Sequence, residues 1–255
     1  MKISIIIPAY NEEQRIPRML RAYIDYFSSH CAGAYEIIVV VNGSRDRTTG
    51  VVREFSAECP ELSVIEIKEA IGKGGAVMVG FRNASGDMIG FVDADGSTPP
   101  ASFHDLARQM GDAGAIIASR WLPGSIVEPR QPLKRRIASR MFNFYVRNFF
   151  GLDIIDTQCG AKMLSAEAVK AVLPHIGITR WAFDVDLLFQ VHRAGFKIVE
   201  VPTVWHDEGG SQLRVGRASL EMFIAIVRLR LIYSPFKWIV TLYDRTLGRF
   251  IHPSK

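Results

Sequence analysis

Met88-Ile89-Gly90-Phe91-Val92-Asp93-Ala94-Asp95-Gly96-Ser97-Thr98-Pro99-Pro100 decides how the chain reads. A short apolar run has the pattern of a buried strand, and it delivers two carboxylates spaced i, i+2 at its C-terminal end. Gly96 lets the backbone turn sharply there, and Pro99 and Pro100 restart it with a fixed φ. Packing alone asks for no acids at the exit of a buried strand. A hard divalent cation does ask for oxygen ligands, and Mg²⁺ takes one or two carboxylates together with substrate phosphates. In an open α/β sheet the ligand crevice also lies outside the carboxyl ends of the strands. A solvated turn is the other reading, since Asp and Gly are ordinary turn residues.

Upstream, residues 3–8 are a short apolar, β-branched run of the kind that forms a strand buried on both faces, 36–41 read as a second buried strand and 62–67 as a third strand. The first ends in Pro8-Ala9-Tyr10-Asn11-Glu12-Glu13, where Asn11 is suited to cap a helix running to about residue 27 with two acids in its first turn. The second ends in Asn42-Gly43-Ser44-Arg45-Asp46-Arg47-Thr48, a loop of small hydrogen-bonding groups; turn-making and capping are the plain alternative for Asn42 and Ser44. Gly72-Lys73-Gly74-Gly75-Ala76 opens the next helix, and backbone N–H groups at such a start favour phosphate. It is neither a Walker loop nor a dinucleotide fingerprint, and a tight turn is its alternative. Downstream, strands at 115–119 and 197–201 continue the alternation with helices. The pattern predicts a mostly parallel central sheet covered on both faces, with 8–12, 42–46, 93–95 and Arg120 converging on one edge.

The chain has 255 residues and a formal net charge of +5, so where the basic residues lie matters more than their sum. Cys31, Cys59 and Cys159 are scattered and odd in number, which fits a reducing compartment better than a disulfide framework. No apolar run approaches the roughly 18 residues of a transmembrane helix. The expected location is the cytoplasm. Beyond residue 120, Arg130, Lys134, Arg135, Arg136, Arg140 and Arg147 surround a helix that also carries Phe142, Phe144, Tyr145, Phe149 and Phe150. A solvated basic face beside a core face is one reading of it, and a membrane surface is the other. Nucleic acid is not expected, because no binding motif accompanies the charge. His206-Asp207-Glu208-Gly209-Gly210-Ser211-Gln212-Leu213-Arg214 is a polar, glycine-containing loop suited to a lid. From residue 217 to 255, aliphatic and aromatic residues interleave with Arg228, Arg230, Lys237 and Arg245, which reads as basic amphipathic helices in a membrane interface, with core packing as the alternative.

Taken in order, Ile5-Ile6-Ile7-Pro8-Ala9-Tyr10-Asn11-Glu12-Glu13, Asn42 to Thr48 and Asp93-Ala94-Asp95 resemble the signature of inverting family 2 glycosyltransferases with the GT-A fold. The loops 72–76, 156–162, 180–188 and 209–213 resemble dolichyl-phosphate β-glucosyltransferases within that family. The resemblance implies that Pro8, Tyr10, Glu12, Asn42, Ser44, Gly72, Lys73 and Asp93 line the donor nucleotide pocket, and that Asp93 and Asp95 hold Mg²⁺ or Mn²⁺. It also implies that Arg120, Arg135 and Ser139 bind the acceptor phosphate, while Gly210, Ser211, Gln212 and Arg214 close over the donor. The family usually has an acid where Asn42 stands and, in its mannose synthases, a Gln where Ser97 stands.

The expected reaction moves a sugar from a UDP-sugar, UDP-glucose by resemblance, to dolichyl or polyprenyl phosphate with inversion. A lipid phosphate is already anionic, so it needs no strong base, and Arg can grip it bidentately. A sugar-hydroxyl acceptor would need a base, for which Asp184 is the first candidate. An inactive nucleotide-sugar-binding scaffold is a third reading, against which the paired aspartates argue. Residues 1–216 are expected to form the catalytic domain, with a nucleotide half to about 120 and an acceptor half from 121. Residues 217–255 are expected to form a tail holding the protein peripherally on the cytoplasmic face of a membrane. Oligomeric state is left open.

Overall fold

The computed structural model describes residues 1–129, 132–177, 182–206, 215–238, 240 and 242. β1 (Ile3–Ala9), α1 (Ile16–His30), β2 (Tyr35–Asn42), α2 (Thr48–Glu58), β3 (Leu62–Ile67), α3 (Gly72–Asn83), β4 (Met88–Val92), α4 (Pro100–Gln109) and β5 (Ala115–Ser119) form the expected alternating run. β6 (Ile126–Glu128) and α5 (Leu133–Phe150) follow, then β7 (Ala161–Ser165), α6 (Ala166–Val172), α7 (Phe183–Arg193), β8 (Ile198–Pro202), β9 (Val204–His206) and α8 (Val215–Ile232). The main sheet has seven strands in the order β3-β2-β1-β4-β7-β5-β8, and β6 pairs with β9 beside it.

Strand alternation explains why both faces are covered. Ile5, Ile7, Val39 and Val41 point into one core, with Leu20, Phe27 and Phe103 from α1 and α4. Ile6, Ile38 and Val40 point into the other, with Val77, Phe81 and Leu187 from α3 and α7. Side chains that alternate along a strand and are apolar on both sides need a layer of helices above and below.

β7 alone runs against the rest, antiparallel to both β4 and β5. It returns from the loop at 151–160 and wedges between the aspartate strand and the arginine strand. Its register sets Lys162 opposite Phe91 on one side and Ile117 on the other. A lysine therefore sits in the middle of the sheet, with its side chain fully buried.

α1 starts later than expected. Asn11 takes a left-handed conformation, φ +53°, and its side chain accepts from Arg45 N instead of capping the helix. Glu12 and Glu13 precede the first turn, and Pro17, whose missing N–H costs nothing at a helix start, sits inside it. The expected boundary at 216/217 falls within α8. That helix sinks Ile226 and Leu229 into a third core with Phe142, Val146 and Leu188, and Phe223 packs against Tyr145 with ring centroids 5.2 Å apart. Among the described residues no helix is long and apolar enough to cross a membrane.

Candidate active site

The ends of β1 and β2 are zipped together by short side chains. Asn11 N donates to Ser44 Oγ at 3.0 Å, and Arg45 N donates to Asn11 Oδ1 at 2.8 Å. Glu12 N donates to Thr48 Oγ1, Glu13 N to Asp46 Oδ2 and Arg47 N to Glu13 Oε2. Asn42 is buried, and its amide donates to Ala9 O at 3.1 Å across the paired strand ends. Small polar residues at these positions thus satisfy backbone N–H groups that parallel strands leave open where they diverge. Pro8 is buried within β1, whereas Tyr10 is half exposed beside the zip. The Glu12 carboxylate pairs with Arg15, and burial lifts it above the usual range, helped by Asp95 and Asp93.

β4 delivers Asp93 and Asp95 beside this zip. Asp95 Oδ1 accepts from Ser97 N at 2.9 Å, and Gly96 takes φ +78° to make the turn. Asp93 N donates to Gly160 O, and a Cβ on Gly160 would collide with Asp93 Oδ2. The glycine leaves a cradle shaped to the carboxylate. Among the described residues there is no cluster of three His, Cys, Asp or Glu side chains able to hold a metal. Two carboxylates on one turn still match the donor set of a Mg²⁺ or Mn²⁺ that takes its other oxygens from phosphate and water. The residues fit such a cation.

Two lysines knit the acids together. Lys73, on the first turn of α3, places Nζ 2.7 Å from Asp93 Oδ1 and 3.9 Å from Asp184 Oδ2. Lys162 Nζ donates to Asp184 Oδ1 at 2.5 Å and to Cys159 O at 2.7 Å. Burial pushes the Asp184 carboxyl up, but Lys162 and Lys73 outweigh it and hold it below the usual range. Asp93 is moved the other way: burial lifts it and Asp95 adds to the lift, against Lys73. α3 begins at the glycine-rich loop, with Gly72 at φ +78° and Gly74 against the Phe183 ring, where a side chain would clash. That contact ties the loop to α7, the helix carrying Asp184.

Arg120 stands at the end of β5 and is committed to Asp156. Its Nε and Nη2 donate to the two carboxylate oxygens at 2.8 Å each, and its backbone N donates to Oδ2 at 3.0 Å. Asp156 is held below the usual carboxylate range, the cost of burial being outweighed by Arg120. The guanidinium also lies 5.1 Å above the Trp205 ring. Thr157 N and Oγ1 donate to Asn143 Oδ1, whose own amide donates to Ser139 O, so α5 is anchored to the Arg120 pair. Arg140 adds a second tie, 5.4 Å over the Trp121 ring. Arg135 and Ser139 lie half buried on the N-terminal part of α5, the stretch these ties hold beside Arg120.

Gly210, Ser211, Gln212 and Arg214 lie outside the described residues, as does Arg180. Asp156 and Lys162, the partners of Arg120 and Asp184, were not singled out by residue type. A charged residue inside Ala161-Lys162-Met163-Leu164, directly after a glycine, was the available signal for an inward-facing lysine.

The model of glycosyl transferase family 2 matches residues 4–173. Dolichyl-phosphate beta-glucosyltransferase of Drosophila melanogaster is 35% identical over 227 residues, covering 84% of this chain and 69% of that protein. Glycosyltransferase AglD of Haloferax volcanii is 31% identical over 231 residues, which are 89% of this chain but span only 37% of AglD. The glucosyl-3-phosphoglycerate synthase of Mycobacterium tuberculosis, solved with Mn²⁺, UDP-glucose and phosphoglyceric acid, superposes with a TM-score of 0.66 at 18% identity, covering 90% of this chain and 79% of that one. By its sequence match and its architecture, the chain belongs to glycosyl transferase family 2 and is a glycosyltransferase of the GT-A fold.

Proposed function

We propose that the protein transfers glucose from UDP-glucose to dolichyl or another polyprenyl phosphate, with inversion, at the cytoplasmic face of a membrane. The relatives named dolichyl-phosphate beta-glucosyltransferase support the reaction, and the solved UDP-glucose complex of a fold neighbour supports the donor. The observation that carries the acceptor class is the state of the site's acids. Asp184 has an ammonium group toward each oxygen and Asp156 is spent on Arg120, and both are held below the usual carboxylate range. A carboxylate gripped this way is a weak proton acceptor. That disfavours a hydroxyl nucleophile and suits a phosphate monoester, whose oxygen is charged before it arrives.

Asp93 and Asp95 would hold a divalent cation, and when bound it supplies positive charge against the diphosphate leaving group. The chain's own residues do the rest. The zipped loops at 8–12 and 42–48 set the floor of the nucleotide pocket, and Gly72 and Lys73 offer N–H groups and an ammonium to the donor. Arg120, held rigid by Asp156, presents a fixed positive edge near α5, where Arg135 and Ser139 would take the acceptor phosphate. Asp184, kept anionic, fixes Lys162 and faces Lys73.

Membrane contact would come from α5 and the C-terminal helices. Leu133, Ile137, Met141 and Phe144 recur along α5 and are exposed, as are Ile224, Phe236 and Trp238, with Lys134, Arg140 and Arg147 exposed among the α5 residues. Apolar side chains flanked by cations match an anionic lipid surface. The test is to incubate the full chain and Mn²⁺ with a panel of UDP- and GDP-sugars and polyprenyl phosphate. Transfer from UDP-glucose to the lipid, as a β-linked product, is expected; transfer only to sugar hydroxyls would overturn the reading.

A further inference from the structure

Asp93 does not stand open to a cation in this structure. Its Oδ1 faces Lys73 Nζ at 2.7 Å, and its Oδ2 rests against Gly160. Asp93 and Asp184 meet Lys73 and Lys162, and the charge of Asp95 also acts on Lys73, so three carboxylates stand against two ammonium groups. One net negative charge is left where a divalent cation would bind; removing Lys73 alone would double it. A cation that is to use Asp93 Oδ1 must first displace the ammonium.

The structure also supplies the place for Lys73 to go. Asp184 Oδ2 is 3.9 Å from Nζ, while Lys162 occupies Oδ1. Closing that gap to ordinary ion-pair contact takes a movement of about 1 Å. Lys73 and Lys162 both lie 5.3 Å from the Phe91 ring centre, so one aromatic ring accompanies both ammonium groups. The backbone beneath Lys73 is fixed by Gly72 and by Gly74 on Phe183, whereas the side chain is 35% exposed and has freedom to swing.

Building on the metal-dependent reading above, we infer that Lys73 is a built-in counter-ion: it pairs with Asp93 and releases it to an arriving metal–nucleotide. On release it turns to Asp184 and to the incoming diphosphate. Metal and nucleotide then bind as a coupled pair, since each relieves the charge that the other leaves unbalanced, and such coupling is reciprocal. A cation without nucleotide gains little, because it must evict an ammonium that has no anion to receive it beyond the already half-paired Asp184.

The experiment is a Mn²⁺ titration of the full chain, followed by electron paramagnetic resonance, with and without UDP; it uses neither acceptor nor turnover. In the wild type, UDP should tighten Mn²⁺ by about tenfold or more, the range of ordinary coupling energies. Lys73→Met should bind Mn²⁺ alone about tenfold more tightly than the wild type, and UDP, which still brings phosphate oxygens to the metal, should then tighten it clearly less than in the wild type. Lys73→Arg should keep the wild-type coupling. The side chain is partly exposed at a helix start, so the variants should fold, with some loss of melting temperature from the uncompensated acids, and Lys73→Gln gives a second neutral replacement. If Lys73→Met and Lys73→Gln bind Mn²⁺ alone no better than the wild type while UDP still tightens it, the counter-ion assignment falls and the metal reading stands. If no form binds Mn²⁺ with UDP, both fall together.

Discussion

The two acid sites at the sheet edge are built from the same kinds of residue and held in opposite ways. Asp156, in the loop before β7, is fully buried, doubly paired with Arg120 and further bonded by the arginine's backbone N–H. Asp93 and Asp95 at the end of β4 are partly open, and among the described residues the cation paired with Asp93 is a lysine on a flexible stem. Arg offers a planar fork suited to a fixed bidentate pair, while Lys offers a point charge that changes partners readily. The locked pair therefore positions, and the loose pair is free to exchange ligands. Breaking each should give different symptoms.

The largest effect is expected at the locked pair. Asp156→Ala strands a buried guanidinium, and losing one partner of a buried pair costs about 3–5 kcal/mol. Urea denaturation at pH 7 should show that loss. The sign of the acid dependence follows from the lowered carboxyl of Asp156. Its contribution is complete above the unfolded-state value, about 3.9, and is lost as pH falls through the lower folded value. The gap between wild type and variant should thus stay constant from neutral pH down to mild acid and narrow only below that range. A gap of under about 1 kcal/mol at pH 7 would make the pair an ordinary surface-like contact.

At the loose pair the symptom should be kinetic. Asp95→Asn keeps the side-chain shape and removes one charge, and turnover should drop by about two orders of magnitude, the scale of losing one electrostatic partner at the reacting centre. Stability should change little, since Asp95 is bonded only to the nearby Ser97 N–H among the described residues. Stripping divalent cations with EDTA should abolish activity in the wild type as well. Near-normal turnover in EDTA would remove the metal from this site altogether.

The contrast also explains what could be read in advance. The strand runs at 3–8, 36–41 and 115–119 were legible because burial leaves a continuous apolar signature, whereas 62–67 forms the edge strand β3, with Ser63 and Glu66 exposed. Asp93 and Asp95 were legible because acids at the end of such a run have no packing role. β7 was not, because Ala161-Lys162-Met163-Leu164 is short and its lysine breaks the apolar pattern that marks a central strand. The same hidden strand brings in the partners of both Asp184 and Arg120: Lys162 lies within it and Asp156 in the loop before it. Pairing is a tertiary fact, and neither spacing nor periodicity carries it across from 120 to 156 or from 162 to 184. The late start of α1 has a local cause: Asn11 had two hydrogen-bonding options and took the loop at 43–47.

The Arg120–Asp156 lock also sharpens the choice of variant for the acceptor side. Arg120→Ala would leave Asp156 buried and unpaired, so its kinetic effect would be mixed with unfolding. Arg135→Ala is the cleaner test. A lost hydrogen bond to a charged group is worth about 1.5–3 kcal/mol, so the KM for polyprenyl phosphate should rise by about tenfold or more. The KM for the sugar nucleotide should stay within about twofold, well inside a single hydrogen bond's worth. A rise confined to the nucleotide would place α5 on the donor side.

The smallest effect is expected where the molecule would meet lipid. Phe144 is 63% exposed on α5, one turn beyond Met141 and amid the basic residues of that helix. α8 cannot be removed to test membrane contact, because Ile226 and Leu229 belong to the third core and truncation would open it. Phe144→Ser avoids that problem, since an exposed ring contributes little to folding. An interfacial side chain gains only part of the 1.5–3 kcal/mol of full burial, so binding to anionic vesicles should weaken by about fivefold. Raising the salt should weaken both proteins further, because the cations around Phe144 are exposed and screened beyond a Debye length of roughly 10 Å at 0.1 M. Co-sedimentation with phosphatidylserine-containing and neutral vesicles separates the two contributions: the Phe144→Ser loss should persist on neutral vesicles, and the salt effect should vanish there. Equal binding of wild type and variant to both vesicle types would move the lipid contact off α5 and onto the C-terminal residues around Phe236 and Trp238.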